Sequence, residues 1–120
     1  MIRVLSFGYV DELLQKRHRF LAASGFEVTS VDTKSAGLRL LGTCEFDVLV
    51  IGHGVPLRDR NAVAARAKCG DAIRVIFLYR SNIRNAELAD AVLSVDSSAE
   101  DLPQVILRLV GEQSRIVGCG

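Results

Sequence analysis

The sequence predicts an α/β domain built on a parallel sheet with helices on both faces. Two observations carry the prediction. Short β-prone runs alternate with amphipathic stretches along the chain, and parallel strands need such crossovers. The runs DVLVI, Asp47 to Ile51, and IRVIFLY, Ile73 to Tyr79, are almost unbroken apolar residues, as strands covered on both faces require. At 120 residues, 49% of them hydrophobic and only 2 of them proline, the chain has the material for a single core and a single domain.

Each element has its own signal. Ile2 to Phe7 is a short β-prone run that stops at Gly8. Asp11 to Ser24 then carries Leu13, Leu14, Phe20 and Leu21 with Lys16, Arg17, His18 and Arg19 between them, a solvated amphipathic helix that Gly25 ends. Phe26 to Val31 alternates like a strand, and Ser35 to Gly42 places Leu38, Leu40 and Leu41 on a short helix. After the apolar third strand, the alanine-rich Asn61 to Lys68 predicts a third helix, with Gly70-Asp71 as its exit turn. The fourth strand is followed by a brief helix at Asn85 to Ala89 and a fifth strand at Ala91 to Val95. Ser97 with Glu100 makes a capping-box pattern before the apolar face Leu102, Val105, Ile106, Leu109 and Val110, where Pro103 is tolerated because it falls in the first turn. Residues 1–113 form the domain, and 114–120 are expected to fray as a flexible C-terminal tail.

Charge and cysteine usage exclude several classes. Fifteen basic residues against fourteen acidic ones leave a formal charge of +1, so no global field recruits nucleic acid or a membrane. The charge is uneven: Arg58 to Arg84 carries a local +5, and the chain from Asn85 onward a local −4. Cys44, Cys69 and Cys119 are odd in number and widely spaced, which fits reduced thiols better than a disulfide framework or a CxxC metal site. No apolar run approaches a membrane span and no signal segment opens the chain, so a cytoplasmic location is expected.

In a doubly wound sheet the binding crevice lies at the carboxyl ends of the strands, here Gly8-Tyr9, Gly52-His53-Gly54, Tyr79-Arg80 and Val95-Asp96. The order of elements, GFEV at Gly25 to Val28 with the helix after it, FDVLVIGHGVP at Phe46 to Pro56, RVIFLY at Arg74 to Tyr79, and ADAVLSV at Ala89 to Val95 before an amphipathic helix resemble the receiver domain of bacterial response regulators, of the CheY-like type. The resemblance implies a flavodoxin-like, doubly wound (βα)5 sandwich with strand order 2-1-3-4-5. It also implies a setting in two-component or phosphorelay signalling.

The same resemblance implies a site whose residues are absent. A working receiver takes a phosphoryl group on an aspartate ending the third strand, with Mg²⁺ held by that carboxylate and an acidic pair after the first strand. The acidic-pair positions fall on Gly8 and Tyr9, and the acceptor position falls on Gly52. The threonine or serine ending the fourth strand and the lysine ending the fifth are replaced by Tyr79 and Val95, while the loop proline, Pro56, remains. The expectation is a degenerate receiver with no catalytic residue, no cofactor and no Mg²⁺ binding.

His53 has neither a paired acid nor further ligands in sight, and its flanking glycines fit neither GxGxxG nor a P-loop, which favours a turn or surface role. Arg58 and Arg80 leave the third and fourth strands on one edge and could, with His53, turn the cleft from cation-binding to anion-binding; solvated loop charge is the plainer reading. Tyr79 is expected to fill the vacated pocket with its ring. Lys16 to Arg19 reads as the wet face of a helix, without the interleaved aromatics of a nucleic-acid surface. The function expected is a non-catalytic receiver-like signalling module acting by protein contact, through a protein partner or a homodimer on the last two helices and fifth strand. Arg84 opposite Glu100, Asp101 and Glu112 would lend that contact charge complementarity. The alternative, from another class, is a small-molecule or anion sensor using the strand-end cleft around Gly8, Gly52, Gly54 and Arg80; an enzyme has the least support.

Overall fold

The computed structural model describes residues 1–69, 73–81, 83, 85–95 and 98–119, the last helix by its backbone alone over 98–100 and 112–119. Strand β1 (Arg3–Phe7) is followed by α1 (Asp11–Ala23), β2 (Glu27–Val31), α2 (Lys34–Thr43), β3 (Val48–Ile51), α3 (Leu57–Lys68), β4 (Arg74–Tyr79), β5 (Ala91–Ser94) and α4 (Ser98–Cys119). All strand pairs are parallel and the sheet order is β2-β1-β3-β4-β5. This is the flavodoxin-like, CheY-like order that the resemblance implies.

Side chains of the central strands alternate between two cores. Leu5, Phe7, Leu49, Ile51, Val75 and Phe77 pack beneath α3, whose small residues Ala64 and Ala67 allow close approach. Val4, Val48, Val50, Ile76 and Leu78 face Leu21 of α1 and Leu102, Ile106 and Leu109 of α4. Each fully buried large apolar side chain contributes roughly 1.5–3 kcal/mol, which is why the unbroken apolar runs dominate the fold. The odd member is Ser6, fully buried on β1 between Val4 and the strand end.

Local signals set the boundaries. α1 has no side-chain cap, but Asp11 and Glu12 complement its amino end, and Gly25, at φ 99°, turns the chain out of it. Thr33 caps α2 by accepting from the Ala36 N–H at 3.1 Å. α3 starts at Leu57, directly after Pro56, four residues before the alanine-rich run that predicted it; Asp59 in its first turn supports the early start. Asp90 joins the β4–β5 entry: its carboxylate accepts from the Val75 N–H at 2.7 Å and pairs with Lys68, while Arg74 lies at 3.6 Å.

Two local expectations are corrected. The helix expected at Asn85 to Ala89 is not formed: Asn85 adopts φ 54°, and Ala86, Leu88 and Ala89 instead pack against the α3-side core from a turn. Five residues close too few hydrogen bonds to offset helix nucleation when the core is reached more directly. The described residues therefore hold four helices rather than five. Pro103 is the sixth residue of α4, past its first turn, so the Ala99 carbonyl receives no helical bond from position 103. The α4 backbone runs on to Cys119, through part of the segment read as a tail. The Gly70-Asp71 turn and the Ser97 half of the capping box lie outside the described residues.

Candidate functional site

The pairing of β1 with β3, from Val4 opposite Val48 to Phe7 opposite Ile51, brings Gly8 and Gly52 side by side as both strands end. The Gly52 N–H donates to the Phe7 carbonyl at 2.8 Å, which fixes the juxtaposition. Neither residue carries a side chain, and the space is taken from the neighbouring helix. Arg17 lies three residues after Leu14 and four before Leu21, the two buried residues of α1, and so shares their core-facing stripe. Its Nε donates to Ser6 Oγ at 2.8 Å and its Nη2 to the Phe7 carbonyl at 3.3 Å. A Cβ at Gly8 would stand 3.0 Å from Arg17 Nη2, and one at Gly52 3.2 Å from the same atom. Two glycines thus admit one guanidinium, and Ser6, the polar residue buried under α1, has its partner.

Electrostatically the strand-end cleft contains a built-in cation. Burial lowers the Arg17 pKa to about 10, which leaves it charged at neutral pH. Among the described residues no carboxylate lies within 4.0 Å of it. The cavity remaining beside Gly8, Gly52 and Arg17 measures about 10 Å³, at most the room of a single water. Mg²⁺ needs carboxylate oxygens; Gly8 and Gly52 supply none, and the guanidinium repels a second cation. The residues present do not fit that metal.

Tyr9 crosses the mouth of the cleft. Its ring meets Phe7 edge-on, with centroids 5.3 Å apart, and its hydroxyl donates to Asp59 Oδ2 at 2.6 Å on α3. Desolvation, the bond to Asp59 and the charge of that carboxylate push its pKa up to about 12. Asp59 also faces Lys34 at 3.8 Å.

Tyr79 does not fill the vacated pocket as expected. It stands two residues after Phe77 on β4 and so shares its α3-side face, whereas Ser6 and its guanidinium partner lie under α1. Val95 directly follows β5 and packs with the α1–α4 core. Arg58 and Arg80 are exposed and line neither strand-end cavity, while His53 stands beside Arg17 in both. Arg17 is the residue that the wet-face reading of α1 missed; its phase with Leu14 and Leu21 was the available signal. His18 follows the same stripe, with Nδ1 2.8 Å from Ser30 Oγ.

A larger cavity of about 370 Å³ opens next to the cleft, between α1 and α4. Among the described residues no helix is long and apolar enough to cross a membrane, and no three His, Cys, Asp or Glu side chains converge on a metal site.

No protein-family model and no curated protein sequence matches this chain. Solved structures do. A CheY-like response regulator receiver domain protein from Methanospirillum hungatei JF-1 superimposes with a TM-score of 0.83 at 19% identity, covering 96% of this chain and 98% of that one. A response regulator receiver domain protein from Clostridium thermocellum gives 0.79 at 20% identity, covering 97% and 99%. The receiver domain of a sensor histidine kinase from Pseudomonas aeruginosa PAO1, described with a magnesium ion coordinated in its active-site cleft, gives 0.78 at 14% identity, covering 92% and 98%. The chain has the receiver-domain fold over nearly its whole length.

Proposed function

We propose that this protein is a non-catalytic, receiver-like signalling module of the cytoplasm that acts through protein contact and takes no phosphoryl group. The observation that carries the reading is the substitution of one cation for another: at the position where the resemblance places a phosphoacceptor there is Gly52, and the guanidinium of Arg17 lies against it. Without a carboxylate at Gly8, Tyr9 or Gly52 there is no group to form an aspartyl phosphate there, and the space left beside Arg17 is only about 10 Å³.

The contact surface proposed is the edge strand β5 with α4, where Val92 and Leu107 expose apolar side chains. An edge strand and an apolar helix face both gain from a protein covering them. Incubation with acetyl phosphate and Mg²⁺, followed by intact-mass measurement, tests the central claim. The mass stays that of the unmodified chain; an adduct of one phosphoryl group that is lost on hydroxylamine treatment would overturn the reading.

A further inference from the structure

The cavity between α1 and α4 has a composition that the cleft beside it lacks. Five apolar side chains form its walls: Leu13 and Phe20 from α1, Leu78 from β4, Val95 after β5, and Leu102 from α4. Its remaining described lining is Lys16, Arg17 and His53, three nitrogen bases with no acid among them. At about 370 Å³ it falls within the size range of small-molecule sites, which combine apolar walls with a few convergent polar groups. Leu13 and Phe20 remain 40% and 39% exposed although they stand on a helix that otherwise buries its apolar stripe. Arg17 holds its position through Ser6 and Phe7 by Nε and Nη2, and among the described residues no carboxylate neutralises it.

We propose that this cavity binds a small organic carboxylate with an apolar body of roughly eight to ten heavy atoms, its head group on Lys16 and Arg17 and its body against Leu13, Phe20 and Leu102. Charge complementarity selects the occupant: a neutral apolar molecule would leave the bases unmatched, and an inorganic anion would leave the walls wet. The site adjoins the Gly8–Gly52 cleft and shares Leu13, Arg17 and His53 with it, so it rests on the same placement of the guanidinium as the reading above.

The test is a titration of the full ¹⁵N-labelled chain with octanoate, read by amide chemical shifts, with octan-1-ol and acetate as the two half-ligands. Octanoate is expected to give saturable shifts centred on Leu13, His53 and Val95 with a dissociation constant in the millimolar range or tighter, and each half-ligand to bind at least about fivefold more weakly. Lys16→Glu, on an exposed residue whose change leaves the core intact, should weaken octanoate at least about fivefold, and Leu13→Trp should abolish saturation by filling the cavity. The proposal is overturned by the absence of saturable shifts up to about 10 mM, by octan-1-ol binding as tightly as octanoate, or by an unchanged affinity in Lys16→Glu. It is equally overturned if the same amides shift with protein concentration alone, which would make a second copy of the chain the occupant.

Discussion

Arg17 puts a charge among side chains that are there for their apolarity, and the energetics of that choice can be measured. Its folded pKa of about 10 lies below the ordinary 12.5, so the buried charge costs stability up to about pH 10 and the cost fades as pH rises through that interval. Arg17→Met keeps the length and removes the charge; it should raise the unfolding free energy at pH 7 by up to about 2 kcal/mol in a urea titration, even though Ser6 loses its partner. Tyr9 has the opposite sign. With a folded pKa of about 12 against 10.0, its bond to Asp59 contributes fully below pH 10 and is lost as pH climbs toward 12. Tyr9→Phe should therefore flatten the alkaline loss of stability while changing stability at pH 7 by less than about 1 kcal/mol, as exposed pairs do. What the sequence left hidden at this scale was direction. Four polar residues in a row at Lys16 to Arg19 look alike, and only helical phase separates Arg17 and His18, which turn inward to Ser6 and Ser30, from the two that stay in water.

Elements show where local propensity decided the outcome and where tertiary context overruled it. Strands and long helices were legible to within a few residues, because unbroken apolar runs and amphipathic spacing leave few alternatives. The expected helix at Asn85 to Ala89 failed since its apolar residues reach the α3-side core from a turn, a fact of packing that five residues do not encode. Glycine is informative at the same scale. In α2, a Cβ at Gly37 would meet Val31 and Val63 at 3.7 and 3.8 Å, ordinary contact distances, so Gly37→Ala should stabilise the protein by about 0.5–1 kcal/mol in thermal unfolding. Gly25 has open space around it but a φ of 99°, so Gly25→Ala should destabilise by about 1 kcal/mol in the same assay. Opposite signs for these two glycines would separate backbone strain from crowding.

For the whole molecule, a parallel sheet was readable from the crossovers and its strand order from the resemblance, and the absence of carboxylates at Gly8, Tyr9 and Gly52 was readable outright. The replacement was not, because it comes from Arg17 on α1, nine positions beyond Gly8. This bears on any attempt to rebuild a metal site. Gly8→Asp with Gly52→Asp would place two carboxylates against Arg17 Nη2, so the double variant should bind Mg²⁺ only weakly by calorimetry, while adding Arg17→Met should strengthen binding by at least about tenfold. The guanidinium also differs from a phosphoryl group in a way that concerns time. A phosphoryl group on an aspartate is put on by one event and removed by another, so the signal it carries has a clock. Arg17 is part of the covalent chain and is present from synthesis to degradation; under the proposed reading, the duration of whatever this protein signals is set by how much of it the cell makes and how long each copy survives.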